Sequence, residues 1–428
     1  MDGHFNAWSP PQYDLSHPPA LDVTLTLTDD LKFPQNFARI TKWCPDGSVY
    51  LSQCEDRSFQ LGRPELMVPN DSNSNPQLTL QSRQPAPIVD FEWYPTATSK
   101  DPATFCFVSS VRECPVKLLD ASDGRLRASY PIIDHRERFI APHSLAFNLT
   151  ARKLYCGFQN AIEVFDTANP GEGIRLATTP NKSSKDGLKG IISALAFCPS
   201  YESDVFAAGS LNANQCNIAL FSESQGQTPL MFLNGGVSAG VMQLQFNSNK
   251  PHMLYASFRR DTRIFCWDIR YNSDQPLKVY ASNLTPPASL SKAQVQTDSS
   301  SFKESTNQKH RFDVDITGKY LSVGRQDGNI MMYDLDNAFS ALPELQGEYT
   351  EPTMIPPTLV FPGHEDSIGS VAFHPTSSRL LSSSGSRNFD DDESDSDSDA
   401  DGSATSVSVH RRRRQPSVRD HSLKLWRF

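Results

Sequence analysis

The chain has 428 residues, of which 38% are hydrophobic and 21% are charged, and its formal net charge is −9 at pH 7. Its mean hydropathy is −0.46, and no apolar run approaches the roughly 20 residues of a membrane-spanning helix. Eight carboxylates lie in one run, Asp390–Asp401, so the rest of the chain is close to neutral. A generally basic nucleic-acid binder is therefore excluded, and any RNA contact must come from a local patch.

The N-terminal segment, MDGHFNAWSPPQYDLSHPP, lacks a basic-then-apolar pattern, so we predict no secretory signal. We expect residues 1–20 to form a disordered tail. Residues 21–31, LDVTLTLTDDL, alternate with period two and predict a β-strand. The eight cysteines form no CxxC pair, which is typical of reduced thiols in a nuclear or cytosolic protein.

A three-part pattern recurs along the rest of the chain. An apolar strand ends in a bulky residue and a turn, as in ITKWCPDG and HSLAFNLT. A strand rich in small residues follows, as in VFAAGS, and then a polar turn residue leads into a third strand, as in DTRIFCWD and DGNIMMYD. Seven such units of roughly 50 to 70 residues can be counted. Because repeats of this kind are typical of radial arrays, we predict an all-β fold, a seven-bladed WD-repeat β-propeller over residues 21–428.

The last unit is interrupted. Its first two strands lie in GHEDSIGSVAFHPTSSRLLSSSGS and its third in DHSLKLWRF. No fourth strand follows, so we expect residues 21–31 to close the ring by pairing with the last blade. His364, Ser384 or Ser386, Asp420 and Trp426 match the structural His–Ser–Asp–Trp hydrogen-bond network of WD-repeat blades. We interpret this set as structural and not as a hydrolytic triad.

The interruption, residues 388–418, is predicted to be a charged, disordered insertion. In its acidic half, three serines flanked by acids resemble acidophilic kinase sites: Ser394, Ser396 and Ser398. Its basic half resembles a nuclear import signal formed by Arg411, Arg412, Arg413 and Arg414. The alternative is a solvated tether. Residues 68–87 and 281–308, rich in Ser, Asn, Pro and Gln, are predicted to be disordered loops.

The sequence contains no phosphate-cradling glycine loop, metal-ligand cluster or nucleophile elbow, so it predicts no enzyme, metal or cofactor. In WD-type propellers the turns between second and third strands share one face with the connections between blades. On that face we expect an RNA- or partner-binding set: Arg112, His135, Arg136, Arg138, Lys189, Arg259, Arg260 and Arg325. Arginine suits phosphate recognition and stacking on unpaired bases. The alternative is that these side chains pair with neighbouring acids or are simply solvated.

Several stretches between residues 36 and 337 are more specific than a generic repeat. They include GRLRASYPIIDHRERFIAPHSLAF, KLYCGFQNAIEVFDTANPG and RRDTRIFCWDIR. These stretches resemble the telomerase Cajal-body WD-repeat family, whose members associate with small Cajal-body RNAs and telomerase RNA. Some fungal relatives are linked instead to pre-mRNA splicing and small nuclear RNA.

The resemblance implies a non-enzymatic nuclear scaffold that binds small structured RNA and supports ribonucleoprotein assembly, as a monomer within a larger complex and without a membrane. We expect a fungal-type relative that lacks the long N-terminal extension of the animal members. The alternative function is a protein-only scaffold that docks peptides of splicing or other nuclear complexes on the same face.

Overall fold

The computed structural model describes residues 9–25, 27, 33, 35–64, 78–180, 186–214, 216–226, 228–271, 274–282, 307–336, 351–387 and 417–428. Within these ranges the chain forms 29 β-strands in seven sheets. None of the described residues belongs to a helix of the length and apolarity that a membrane span requires. The predicted all-β, seven-bladed propeller is confirmed.

The strands follow the repeat in chain order, after an N-terminal strand β1 (Ala20–Leu25) that belongs to the last blade. Blade 1 contains β2 (Ala38–Trp43), β3 (Tyr50–Cys54), β4 (Ser58–Gly62) and β5 (Leu78–Arg83). Blade 2 contains β6 (Ile88–Trp93), β7 (Cys106–Val111), β8 (Val116–Asp120) and β9 (Leu126–Tyr130). Blade 3 contains β10 (Ser144–Phe147), β11 (Lys153–Phe158), β12 (Ala161–Asp166) and β13 (Ile174–Ala177).

The second half of the ring departs from the simple repeat at one blade. Blade 4 contains β14 (Ile192–Phe197), β15 (Val205–Ser210), β16 (Ile218–Ser222) and β17 (Met231–Leu233). Blade 5 contains β18 (Val241–Phe246), β19 (Met253–Phe258), β20 (Ile264–Asp268), β21 (Lys278–Tyr280) and a fifth strand, β25 (Thr353–Ile355). Blade 6 contains β22 (Phe312–Val314), β23 (Tyr320–Gly324), β24 (Asn329–Asp334) and β26 (Leu359–Pro362). Blade 7 contains β27 (Ile368–Phe373), β28 (Arg379–Ser384), β29 (Leu423–Arg427) and β1.

The fifth strand of blade 5 comes from its neighbour. After β24 the chain leaves blade 6, pairs β25 in parallel with β21, and returns to form β26. Thr353 lies opposite Lys278, and Ile355 lies opposite Tyr280. The sequence pattern did not predict this strand, because three residues are too few to show a period.

Bulky side chains fill the spaces between blades. Phe59, Phe91 and Phe107 are fully buried between blades 1 and 2, where Phe59 meets the other two rings edge-on at 5.5 and 5.1 Å. Small residues occupy the middle strands, as at Ala207 and Ala208 of β15. Because each buried aromatic or aliphatic side chain stabilises the fold by about 1.5–3 kcal/mol, these layers hold neighbouring blades together.

The two ends of the chain meet in blade 7. Strand β1 pairs antiparallel with β29, with Leu21 opposite Trp426 and Leu25 opposite Leu423. The described strand begins at Ala20, one residue before the predicted range 21–31, and residues 26 and 28–31 of that range lie outside the described part of the chain.

The structure differs from the expected disordered tail at residues 9–20. Tyr13 is only 5% exposed, and its ring meets those of Tyr320, Phe373 and Phe428 edge-on at 5.3, 5.1 and 5.3 Å. A single aromatic residue can anchor a segment without secondary structure, which a search for periodicity does not reveal. Residues 1–8 lie outside the described ranges.

A second difference concerns the predicted loop 68–87. Its end forms β5, the outer strand of blade 1, with Arg83 opposite Ser58 and Ser82 opposite Phe59. The polar composition of the loop hid the alternation of LTLQSR, whose backbone hydrogen-bonds to β4. Residues 68–77, most of the loop 281–308, and the insertion up to residue 416 lie outside the described ranges.

Candidate nucleic-acid interface

One face of the propeller carries the turns between second and third strands together with the connections between blades. Backbone hydrogen bonds join the two kinds of loop: Arg112 N–H donates to Pro87 O at 3.1 Å, and Arg259 N–H donates to Gly240 O at 2.7 Å. We call this face, with its strand-turn and inter-blade residues, the upper face. It is the face on which the predicted cationic set lies.

Three members of that set lie beside the central axis. Arg259 and Arg260 are exposed, and both Nε groups donate to Oδ1 of Asn307, at 3.0 and 2.9 Å. The Arg325 side chain is 18% exposed, and its Nε lies 3.7 Å from Oδ2 of Asp327. Arg259 lines the upper end of the central channel, whereas Arg260 and Arg325 line a small adjoining cavity.

The other five predicted residues line neither cavity. Arg112 is exposed in the turn after β7, and Lys189 is half-buried before β14. His135, Arg136 and Arg138 are exposed in the connection from β9 to β10. Arg138 is bound to Asp134: its backbone N–H donates to Oδ1 at 3.0 Å, and its Nε and Nη2 donate to Oδ2 at 3.0 and 2.8 Å. The backbone hydrogen bond, together with the side-chain contacts, lowers the pKa of Asp134 to about 2. Arg138 therefore pairs with a neighbouring acid, as in the alternative to ligand binding given above.

The upper end of the central channel opens into a cavity of about 670 Å³, which we call the channel mouth. Its lining includes four cationic side chains and one carboxylate: Arg39, Arg259, Lys309, Arg387 and Glu55. Glu55 is shared, since Arg39 Nε lies 3.7 Å from its Oε2 and Arg387 pairs with its Oε1. Cationic groups thus exceed the carboxylates at this end of the channel.

Sequence reasoning missed Arg39, Lys309 and Arg387 because it searched the strand turns. A signal was present in NQKHRFDV, where two basic residues immediately precede an inner strand. Inner strands begin beside the axis, so residues just before them face the channel.

The segment before β22 shows how Lys309 reaches the channel mouth. Gln308 Nε2 donates to Gly385 O at 2.8 Å, and His310 Nδ1 lies 2.8 Å from Ile368 O, so both side chains hold the segment against blade 7. In extended backbone alternate residues point to opposite sides. Lys309 and Arg311 accordingly line the channel.

No described residue accepts a hydrogen bond from the ammonium group of Lys309. Burial, with a contribution from the positive charge of Arg311, lowers the pKa of Lys309 to about 8. Arg311 itself is incompletely paired: its Nη1 donates to Met242 O at 3.3 Å and its Nη2 lies 3.9 Å from Asp90, but its buried Nε has no partner among the described residues. Two half-buried cations thus lie together without a full complement of acceptors.

The sign of charge changes farther along the channel. The next 420 Å³ is lined by two cations and three carboxylates: Lys42, Arg311, Asp90, Glu92 and Asp313. Lys42 is already bound, with Nζ 2.5 Å from Glu92. Burial raises the pKa of Asp313 to about 6, which is still below neutral pH, so the carboxyl group is largely ionised at pH 7. Its negative charge in this deeper part of the channel opposes the passage of an anion.

The predicted blade network is present, with one correction. His364 Nδ1 lies 3.0 Å from Asp420, and His364 Nε2 lies 2.7 Å from Ser382 Oγ, which also accepts Trp426 Nε1 at 2.9 Å. The serine is Ser382, not Ser384 or Ser386: Ser384 bonds to Ser367 O and Ser386 to Asp366. In a serine run the strand register decides which hydroxyl faces the histidine, and composition does not reveal it.

Burial shapes the chemistry of this network. The side chain of His364 is fully buried, and burial lowers its pKa below the ordinary range. Burial alone would raise the pKa of Asp420, but hydrogen bonds from His364 and Ser422 outweigh it and hold that pKa well below the usual value. A neutral histidine is thus held by a carboxylate, which ties the turn after β28 to the strands of blade 7.

Seven candidate residues lie outside the described part of the chain and have no structural account. They are the serines and arginines of the insertion: Ser394, Ser396, Ser398, Arg411, Arg412, Arg413 and Arg414.

The chain is similar to known proteins over most of its length. A family model described as WD domain, G-beta repeat matches residues 355–389, which include the first two strands of blade 7 and end where the insertion begins. Telomerase Cajal body protein 1 of Rattus norvegicus is 31% identical over 361 residues, 83% of this chain and 60% of the relative. The Homo sapiens protein of the same name is 31% identical over 362 residues, 84% of this chain and 58% of the relative.

A fungal relative is also similar. Guanine nucleotide-binding protein negative regulator 1 of Schizosaccharomyces pombe is 27% identical over 307 residues, 69% of this chain and 70% of the relative. The chain spans about 60% of the length of the rat protein that it matches. With seven blades, a complete His–Ser–Asp–Trp network and these relatives, the chain is a WD-repeat β-propeller protein related to telomerase Cajal body protein 1.

Proposed function

We propose that this protein is a nuclear, non-enzymatic scaffold that binds small structured RNA on its upper face and supports ribonucleoprotein assembly. The observation that carries the proposal is the concentration of cations at one end of the channel, where Arg39, Arg259, Lys309 and Arg387 face a single carboxylate among the described residues. Phosphate groups are the anions that such a cluster best accommodates.

Two further points support an RNA ligand. Arg259 and Arg260 are exposed, and each donates its Nε–H to Oδ1 of Asn307. The terminal Nη groups of both side chains can therefore contact a ligand. The names of the relatives refer to telomerase and to the Cajal body, which points to a nuclear ribonucleoprotein. We propose a small Cajal-body RNA, telomerase RNA or spliceosomal small nuclear RNA as the class of ligand, bound by a monomer within a larger complex.

The test is RNA crosslinking and sequencing from cells that express the wild-type chain or the variant Arg259→Ala with Arg260→Ala. We expect recovery of one class of small structured RNA with the wild type and a strong loss with the variant. Nuclear localisation by microscopy is expected for both. Recovery of no RNA above background from the wild type, with peptides of nuclear complexes bound instead, would replace this proposal with a protein-only scaffold.

A further inference from the structure

The cations at and around the channel mouth differ in their exposure to solvent. Arg259 and Arg260 are open to solvent, whereas Lys309 is half-buried beneath them. A volume of about 670 Å³ falls within the roughly 300–1,000 Å³ typical of small-molecule pockets. The channel mouth therefore has room for a group the size of a nucleotide.

The cations of the channel mouth lack a matching set of acceptors. Glu55 is divided between Arg39 and Arg387, and Asp90 Oδ2 accepts the backbone N–H of Leu145 at 3.1 Å. No described residue accepts a hydrogen bond from Lys309, which lies among the positive charges of Arg311, Arg39 and Lys42 with Asp90 as the negative charge near it. Since half-buried charges that are incompletely neutralised are costly, an anionic ligand would stabilise this arrangement.

The position of Lys309 is fixed before any ligand arrives. The segment that carries it is held on both sides by Gln308 and His310, and the backbone N–H of Arg311 donates to Gly369 O at 2.9 Å. Gly369 is tightly placed, since a Cβ there would lie 2.8 Å from Arg39 O. The backbone that carries Lys309 and the backbone of Arg39 are therefore both held in place beside the channel mouth.

We propose that the channel mouth binds one unpaired nucleotide of the RNA, with its phosphate between Lys309 and Arg39 and its base in the cavity lined by Phe37, Ile40 and Met242. This inference rests on the proposed function and names the subsite within it. The carboxylates deeper in the channel stop the strand at the mouth, so the RNA does not thread through the ring.

The test measures binding of a fluorescein-labelled single-stranded pentaribonucleotide to the full chain between pH 7 and pH 9.5. The oligonucleotide contains only adenosine and cytidine, because uracil and guanine lose a proton near the upper end of this range. A phosphodiester does not titrate in this range, and arginine stays protonated. His143 and His310, which also lie near Lys309, have pKa values lowered by burial and are neutral throughout. Loss of affinity over this range therefore reports deprotonation of Lys309.

We expect the wild-type affinity to fall about tenfold from pH 7 to pH 9.5, as one charge-assisted contact is lost. Lys309→Gln should bind about tenfold more weakly than the wild type at pH 7 and show no pH dependence. Lys309→Arg should bind tightly at both pH values, because its charge does not titrate. Lys100→Gln, at an exposed lysine on the opposite face of the propeller, should behave like the wild type.

Competitors identify the source of the phosphate. A nucleoside 5′-monophosphate should displace the pentaribonucleotide at lower concentration than inorganic phosphate, because only the nucleotide also fills the cavity. Equal displacement by the two would overturn the assignment of the base, and stronger displacement by an acidic peptide would assign the site to a protein partner.

The two proposals fail separately. If Lys309→Gln binds structured RNA as well as the wild type while Arg259→Ala with Arg260→Ala does not, the nucleotide subsite is wrong and the scaffold function stands. If the wild type binds neither the structured RNA nor the pentaribonucleotide, both are wrong.

Discussion

The imidazole Nδ1 of His364 lies 3.0 Å from Oδ2 of Asp420, although 56 positions separate the two residues in the chain. The insertion lies between them. The stems of that insertion meet at one carboxylate: Ser386 Oγ donates to Oδ1 of Asp366 at 2.6 Å, and Arg419 N–H donates to its Oδ2 at 2.9 Å. Blade 7 is thus complete without the residues in between.

Replacing Asp420 by asparagine should destabilise the protein by about 2–3 kcal/mol at pH 7, because the buried donors of His364 and Ser422 lose a charged acceptor. The pKa of Asp420 is lowered in the folded state, so its contribution is complete above about pH 4 and is lost as the pH falls further. Urea unfolding at several pH values should therefore show the difference between wild type and variant narrowing below pH 4.

The matched control is Asp327→Asn, at the corresponding turn of blade 6. Asp327 is 43% exposed, and its Oδ2 is as far as 3.7 Å from Arg325 Nε, so the ion pair is weak. Its replacement should therefore change stability by less than about 0.5 kcal/mol. Equal effects of the two substitutions would show that the hydrogen-bond network of blade 7 contributes no more to the free energy of unfolding than an exposed turn carboxylate does.

Deleting residues 388–416 and joining the ends with a short glycine–serine linker should leave the unfolding temperature within a few degrees of the wild type, since both stems are already held by Asp366. Differential scanning fluorimetry provides the measurement. Asp366→Ala in the full chain should lower that temperature more than the deletion does, and the reverse order would contradict this account of the stems.

Removal of the acidic run alone, residues 390–401, should strengthen RNA binding at low salt. Arg387, the last described residue before the insertion, lines the channel mouth, and the eight carboxylates follow it in the sequence at positions 390–401, so a flexible tether would give them a high effective concentration at the cationic site. Fluorescence anisotropy at 50 mM and 150 mM salt tests this. The same affinity with and without the run at both salt concentrations would leave it a tether.

A truncated chain that begins at residue 26 should aggregate or lose at least about 3 kcal/mol of stability. It exposes the backbone edge of β29 and loses the buried side chains of Tyr13 and Leu25. A chain that begins at residue 9 keeps both and should match the wild type. Size-exclusion chromatography and urea unfolding compare the three, and a monomeric, equally stable short form would contradict closure by β1.

Replacing Arg259 and Arg260 by alanine should flatten the salt dependence of RNA binding by roughly one unit of log–log slope per lost phosphate contact. The control replaces Lys100 and Arg152 by alanine, which removes the same charge from exposed turns on the opposite face. Its slope should equal that of the wild type. A common change in both variants would indicate a general charge effect and not a site.

The blades could be predicted from the sequence because large and small side chains recur at regular positions in each strand repeat. It predicted the closing strand for the same reason, since LDVTL alternates. It did not identify Ser382, because three consecutive serines give no information on register. It placed Tyr13 in a tail, because the burial of one ring depends on three partners distant in sequence.

The binding role of the turn arginines stays a prediction. Their positions could be read from the sequence because turns are recognisable, but the sequence left open which of them pair with acids: Arg138 is bound to Asp134, whereas Arg259 and Arg260 are exposed. Lys309 was missed because its importance depends on Gln308 and His310 binding to a different blade. Such contacts between distant segments appear only when the ring is closed.

The parallel pairing of β25 with β21 makes blades 5 and 6 interdependent. The chain between β24 and β26 of blade 6 supplies β25, the outer strand of blade 5. Blade 6 therefore cannot detach without removing a strand from blade 5. The two should therefore open as a single cooperative unit in hydrogen exchange. The same strand occupies the outer edge of β21, so a partner that binds blade 5 by strand addition would have to pair with β25 and not with β21.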